Sequence, residues 1–402
     1  MKRIAAILFT AVLLASFSAA YAVSSEKVVG DFSDGLAWMK KSDLYGYIDA
    51  YGNWVIEPTC ESATDFSEGY AYVKRNGQRQ IIDTKGNTVL SINRYGFDPV
   101  KEGLILNYTD NGSANSSWVN YVAVNEKNAA PTPQAGKKFT RANSFSDGLA
   151  FVQVGVPSKY SQQNEYYAFV DHDGTVQILL EDGWFQISGD LRLGSYVESD
   201  GFVDGYSILS GDVYNTAGTS LYGEASIIID KTGNKCYVLQ TGESEHTVYN
   251  CGNGIFCVAR GKNVNYSYTV DYYYYIDAYG NELTKDHYSI WDEQSRSIIP
   301  ERHMPEDNLI LVGIDKKGAV SPCYMDITGN VVISSQGWED ARGFSEGLAA
   351  VCKDGKWGYI NSSGEYVIDP QYDEARDFSC GVAIVDTNDE WYIIDAQGNV
   401  LY

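Results

Sequence analysis

Several residue types are scarce here, and each scarcity removes a class of chemistry. Only four histidines occur in 402 residues, His172, His246, His287 and His303. They are scattered, with no HExxH spacing and no nearby partner to complete a metal site. Seven cysteines, Cys60, Cys236, Cys251, Cys257, Cys323, Cys352 and Cys380, are odd in number and never spaced CxxC. That is neither a disulfide framework nor a zinc pattern. Cys60, Cys352 and Cys380 stand where related segments carry apolar or turn residues, so they read as small buried hydrophobes. Cys251 and Cys257 are close enough to pair across a hairpin, the one bridge to test. There is no GxSxG elbow, no cysteine in a catalytic frame and no glycine loop that cradles phosphate. Basic residues are outnumbered 30 to 53, for a net charge of −23. Such a surface repels nucleic acid and anionic lipid, so neither is an expected partner. Long apolar runs are missing as well. Ile4 to Leu14 falls short of the roughly 20 residues that span a bilayer, and no other stretch approaches that length.

That first apolar run has a different use. Lys2 and Arg3 precede it, and Ala20-Tyr21-Ala22 follows as a small-x-small cleavage site, which together read as a signal peptide over 1–22. Cleavage after Ala22 predicts a secreted or cell-surface protein of residues 23–402 whose net charge moves to −25. A mature chain of this length is too long for one simple core unless it is built from repeats.

Repeats are what it has. Near the C-terminus the chain reads Phe344-Ser345-Glu346-Gly347-Leu348-Ala349, then Lys356-Trp357-Gly358-Tyr359-Ile360-Asn361, then Ile368-Asp369-Pro370-Gln371-Tyr372. It begins again at Phe378-Ser379-Cys380-Gly381 and is already present at Phe32-Ser33-Asp34-Gly35 with Tyr45-Gly46-Tyr47-Ile48-Asp49. The sharpest anchor is an acid or amide followed three residues later by Gly: Asp49/Gly52, Asp83/Gly86, Asp171/Gly174, Asp230/Gly233, Asp277/Gly280, Asp326/Gly329, Asn361/Gly364 and Asp395/Gly398. Type I turns favour Asp or Asn first and Gly fourth, and each anchor follows a β-prone run, so each predicts a hairpin corner whose Asp caps its own turn. Anchors lie 34 residues apart from Asp49 to Asp83 and from Asn361 to Asp395. A degenerate anchor at Asn125 splits the long gap after Asp83 and brings the count to about nine repeats. The regular ones occupy 31–92 and 306–402, and degenerate ones with insertions occupy 93–305.

Each repeat has room for three strands. The first carries a small face, as in Ala37/Met39, Ala71/Val73, Ala150/Val152, Ala349/Val351 and Ala383/Val385. Its opposite face is larger, as in Leu36/Trp38, Tyr70/Tyr72, Leu149/Phe151, Leu348/Ala350 and Val382/Ile384. Neither face is polar, which predicts sheets sandwiched between neighbours on both sides. The expected fold is therefore all-β: a tandem array of three-stranded hairpin repeats, closed as a propeller-like ring or open as a β-solenoid. For a ring, Glu26 to Gly30 aligns with Tyr372 to Arg376, the segment after the last copy's end, and a strand donated from there would hide a sheet edge. The segments quoted at both ends resemble the WG repeat of bacterial proteins. That resemblance implies an all-β repeat protein, commonly secreted or surface-exposed, with a binding role and no catalytic residues.

Alignment on the anchor puts Tyr45, Arg79, Tyr121, Tyr167, Ser226, Tyr273, Pro322, Trp357 and Trp391 in one slot, a packing position. Tyr272 to Tyr275 then form a strand with aromatics on both faces. Aromatics outside the repeat frame are the better binding candidates: Tyr108, Trp118, Tyr160, Tyr214, Tyr266 and Tyr268, in or beside the inserts at 105–120, 155–166, 210–225 and 239–270. Inserts on a repeat scaffold emerge as loops, and loops carry recognition. The plain alternative is that these rings cover long hairpins. Asp171-His172-Asp173-Gly174 lacks the later ligands of a calcium loop, so no metal or other cofactor is expected. The sequence thus predicts a non-enzymatic secreted scaffold that binds a protein or glycan. The competing readings are a secreted propeller enzyme acting on polysaccharide and a purely structural envelope component.

Overall fold

The computed structural model describes residues 29–92, 99–110, 117–124, 138–155, 166–180, 185–194, 197–215, 221–240, 245–264, 267–283, 309–316, 319–326 and 328–402. Among the described residues the fold is all-β, made of small antiparallel sheets without an α-helix. Among the described residues no helix is long and apolar enough to cross a membrane. The proposed leader, 1–22, lies outside the described residues.

The sheet of residues 62–92 shows the plan. Ser62–Ala63 pairs with Tyr70–Arg75, that strand with Gln78–Asp83, and that with Thr88–Ile92. Residues 340–372 repeat it with Asp340–Ser345, Leu348–Lys353, Lys356–Asn361 and Tyr366–Tyr372. The three expected strands are therefore preceded by a fourth. At Ser62–Ala63 and Glu374–Ala375 that strand is two residues long and continues almost directly from the previous unit, as Trp54–Cys60 runs into Ser62–Ala63. An alternation two residues long cannot be told from the end of the strand before it.

The aspartate corners form as the sequence predicts. The Gly52 amide donates to Asp49 O at 3.0 Å, and the amides of Tyr51 and Asn53 donate to Asp49 Oδ1 at 2.9 Å. Gly52 has φ of 75°, the left-handed region that costs a glycine little. Burial pushes the carboxyls of Asp49, Asp83, Asp230, Asp277 and Asp326 upward, but the amide and hydroxyl donors outweigh it and hold all five below the ordinary value. At Asp395 the Asn399 amide is the largest influence and lowers the pKa directly. A carboxyl depressed on folding stabilises the native state above its unfolded pKa, and that contribution fades as pH falls through the folded value. The melting temperature is thus expected to hold from pH 7 to about 5 and to drop below about pH 4. Thermal melts in a pH series check this, and a midpoint unchanged down to about pH 2.5 would contradict it.

The middle of the chain departs from the regular plan. Residues 104–180 form one six-stranded sheet, its two halves joined through the pair Phe139/Val119. Leu104 stands opposite Ala123, as Tyr70 stands opposite Asp83. The degenerate anchor is therefore Ala123, two residues before the expected Asn125. With no Asp-x-x-Gly to mark the corner, a period-two pattern cannot distinguish registers two residues apart. This moves Val119 into the packing slot, and frees Tyr121 for the role of Tyr47. Both hydroxyls reach a carbonyl of the next unit, Tyr47 to Thr64 O at 2.8 Å and Tyr121 to Asn143 O at 2.6 Å.

Sheets pack face to face as the two-faced first strand predicts, with a large face on a small one. Leu36 and Trp38 meet Ala71 and Val73, and Leu348 and Ala350 meet Ala383 and Val385. Full burial of such a side chain contributes about 1.5–3 kcal/mol. Similar clusters join each sheet to the next along the described chain, and another joins the two halves of the six-stranded sheet. The last sheet also meets the first: Val382, Ile384 and Ile393 pack on Phe32, Ala37 and Ile48. Tyr274 and Tyr275 enter different clusters, on opposite faces of one strand.

The first and last sheets meet, and among the described residues no strand passes between them; Glu26 to Val28 of the expected donated segment lie outside the described residues. Val29 pairs with Met39 inside the first sheet, and Val400 pairs with Ile394 inside the last. What joins them is the face-to-face contact used elsewhere. The Ser379 hydroxyl donates to Phe32 O at 2.6 Å, and Arg376 donates to Val29 O at 3.0 Å and to Asp31 Oδ1 at 2.9 Å. The Tyr402 ring lies on Gly52, where a Cβ would collide with it. Ile56 occupies the matching place against Gly86, and Ile368 against Gly398.

Candidate functional site

The Phe-Ser-acid-Gly turns link one unit to the next through their side chains. Asp34 accepts from the Gly69 amide at 2.8 Å, and Glu68 from those of Glu102 and Gly103 at 2.8 and 3.0 Å. Glu102 accepts from Gly148, Asp147 from Gly205, Asp204 from Asn253, and Glu346 from Cys380 and Gly381. The serines run the same way, Ser33 donating to Phe66 O, Ser67 to Val100 O and Ser345 to Phe378 O. All six acids have φ between 50° and 56°, where side-chain-bearing residues are uncommon. Charge-assisted hydrogen bonds offset that strain. These carboxylates are committed to backbone amides, which makes them structural.

Cys380 breaks the pattern where the last sheet meets the first. It holds the acid's position with φ of 57°, and its Sγ receives the Gly35 amide at 3.4 Å. Cys380→Glu restores a carboxylate there and is expected to add about 1 kcal/mol of stability. Urea unfolding measures this; a variant no more stable than the parent would count against the reading. Cys60 and Cys352 are buried as expected, whereas Cys380 is exposed. Cys251 and Cys257 stand as free thiols in one apolar cluster with Cys323. Burial pushes the Cys251 thiol up to about 12 and Cys257 well above its usual range.

Two aspartate turns also reach a neighbour. His172 stacks on Phe145, centroids 4.5 Å apart, with Nε2 2.8 Å from Glu102 Oε2. Lys231 Nζ donates to Asp147 O at 2.8 Å. Neither turn gathers metal ligands: the Asp171 carboxylate accepts from the amides of Asp173 and Thr175 and from Gln177. Among the described residues no group of three or more His, Cys, Asp or Glu is placed to hold a metal.

Of the aromatics proposed for binding, Tyr214 is the one whose side chain is described. It is half-buried at the end of Tyr206–Asn215, opposite Arg192, with its ring across Gly194 and its hydroxyl 3.4 Å from Asp212 Oδ2. That is a cover for a long hairpin. Tyr108 and Trp118 sit on the paired strands Leu104–Asp110 and Ser117–Ala123, and Tyr268 on Ser267–Asp277; their side chains lie outside the description. Tyr160 and Tyr266 lie outside the described residues. Much of the proposed inserts is ladder rather than loop, since Tyr206–Asn215 pairs with Leu221–Asp230 and Ile255–Val264 with Ser267–Asp277. Their apolar content extends the sheets instead of interrupting them.

Leu221, in the insert at 210–225, is exposed, but the exposed apolar side chains that recur lie elsewhere. Val55, Val89, Val332 and Val367 each sit six residues past an anchor, on the last strand of a sheet, and are 38–51% exposed. Tyr51 and Tyr279, two residues past their anchors, are 65% and 64% exposed. The signal was present in the sequence: a valine just before the Ile or Leu of four last strands, Val55-Ile56, Val89-Leu90, Val332-Ile333 and Val367-Ile368.

Fold and joints together define an all-β repeat scaffold. WG containing repeats match at residues 45–78, 324–357 and 357–391. No curated protein matches the sequence. Among solved structures the chain is similar to a crystal structure of "the eukaryotic initiation factor", at 10% identity and a TM-score of 0.41, covering 95% of this chain and 88% of that one. It is also similar to Hsv2 of Kluyveromyces lactis, at 9% identity and a TM-score of 0.29 over 94% and 100% of the two chains. AztD of Citrobacter koseri gives 12% identity and a TM-score of 0.29 over 89% and 90%. At these values none bears on what the chain binds.

Proposed function

We propose that this chain is a secreted, non-enzymatic scaffold of nine repeats closed into a ring, which binds a protein or glycan at the cell surface and calls for no cofactor. The observation that carries the binding reading is the recurrence of exposed Val55, Val89, Val332 and Val367 at one repeat position. Identical groups at unit spacing suit a ligand that itself repeats, because linked weak contacts multiply. Exposed Tyr51 and Tyr279 offer flat rings on which a sugar can stack. The commitment of the turn acids to backbone amides supports the non-enzymatic reading, and the contact of the last sheet with the first supports closure.

Co-sedimentation of residues 23–402 with purified cell-wall sacculi, together with a glycan array, tests this. The wild type is expected to bind, and Val55, Val89, Val332 and Val367 all changed to Thr is expected to weaken binding at least about tenfold. Equal binding by a folded variant sinks the assignment of the surface. Release of reducing sugar from the sacculi would instead favour the polysaccharide-cleaving alternative, and retention of neither ligand the structural one.

A further inference from the structure

One cleft is lined by charges that the repeat does not require. It lies where the last strand of the first sheet faces two turns of the next, and has a volume of about 460 Å³. Val55, Ile56, Glu57 and Thr59 form one wall; Arg75, Asn76, Lys85 and Gly86 form the other. Neither Arg75 nor Lys85 is ion-paired among the described residues. Acids nearby are already engaged: Glu61 with Lys74 at 2.5 Å and with the Gly77 amide, Asp83 with the amides of Lys85 and Asn87. Arg75 Nη2 rests 3.6 Å from Cys60 Sγ, a weak acceptor, while its Nε is buried with no hydrogen-bond partner. A desolvated guanidinium N–H left in this way is unfavourable, and it leaves the Arg75 guanidinium without a strong acceptor among the described residues.

The repeat supplies an internal comparison. At the joint between 366–372 and 382–398 the same backbone recurs: a Cβ added to Gly398 would stand 3.4 Å from Ile368, as one added to Gly86 would stand 3.2 Å from Ile56. There Val367, Ile368 and Asp369 match Val55, Ile56 and Glu57, but Thr387 stands for Arg75 and Gln397 for Lys85. The joint therefore forms without either cation. Two unpaired cations beside one acid, in a chain with 53 acidic and 30 basic residues, are the unusual feature of this place.

We propose that this cleft binds an oxyanion, a carboxylate or phosphate carried by a small molecule or a sugar unit. Arg75 supplies planar, directional donors and Lys85 a point charge, while Glu57 and Thr59 face the ligand's hydroxyls. The volume falls in the usual range for small-ligand sites. This site borders the valine surface at Val55 but takes its charged donors from Arg75 and Lys85, which that surface does not use, so it can fail while the scaffold reading stands.

Titration calorimetry at low ionic strength tests it, with trigalacturonate, inorganic phosphate and neutral maltotriose as probes. At least one anion is expected to bind saturably and maltotriose not to bind; which anion wins separates a carboxylate source from a phosphate source. Arg75→Gln with Lys85→Gln is expected to weaken that binding at least about tenfold with an unchanged melting temperature, and added salt to weaken it in the wild type. If the double variant fails to fold, Lys85→Gln alone, on an exposed turn, is expected to lose several-fold. The proposal is overturned by no saturable anion binding up to about 10 mM, by equal binding of maltotriose, or by undiminished binding in the folded variant.

Discussion

Replacing Gly358 by alanine is expected to destabilise the protein by about 3 kcal/mol, a large effect for one methyl group. The edge strand Tyr366–Tyr372 bulges as it crosses this residue. Tyr359 pairs with Ile368 but Trp357 with Tyr372, so two residues on one strand face four on the other. A Cβ on Gly358 would stand 2.5 Å from Ile368 O and 2.6 Å from Pro370 N, and both are backbone atoms that cannot swing aside. Gly46 meets Ile56 O and Pro58 N in the same way. Prolines fit here because an edge or bulged strand need not offer every N–H to a ladder. The glycine of the Trp-Gly pair is thus kept by a steric need of the strand beside it. Where the following strand lacks that proline, the position carries a side chain, as in Gln80 and Ala168. Urea unfolding of Gly358→Ala alongside Gln80→Ala checks the argument, and a cost under about 1 kcal/mol for the first would refute it.

Phe32→Ala is expected to cost about 3–5 kcal/mol, the range for emptying a buried aromatic site. Its consequence should also appear far along the sequence. Phe32 packs against Val382, Ile384 and Ile393, and its carbonyl receives the Ser379 hydroxyl. Hydrogen exchange should therefore show lost protection in strands Ala37–Lys41 and Leu44–Ile48 and, together with them, in Val382–Thr387 and Glu390–Asp395. In an open array the last strands would keep their protection, so unchanged exchange at 382–395 would falsify the contact between the ends.

Much of the fold could be read from residues because each turn is a local event. Asp49 needs only the amides of Tyr51 and Asn53, two and four residues on, so the corner is written in adjacent letters. The large and small faces of the first strand likewise disclosed the stacking, because alternation survives even where the words change. The relay from Glu68 to Gly103 was not legible, since it joins residues 35 apart and nothing in Ser-Glu-Gly says where its carboxylate points. The register around Ala123 was lost with its turn signature. The inserts at 206–230 and 255–277 are largely ladder, and the exposed valines that recur lie on the last strands of regular units. Exposure at Val55 depends on where the next sheet stops, which no alternation pattern encodes.

The direction of the turn relay has one more consequence. Open stacks of repeats need terminal caps, special units with one polar face, because the outermost apolar faces would otherwise meet water. Here the first sheet offers the small face of Ala37 and Met39, and the last offers the large face of Val382 and Ile384. Each is the complement the other would lack. With the described joints running one way, the first and last sheets present complementary faces that cover one another, and the work of a cap is done by a repeat.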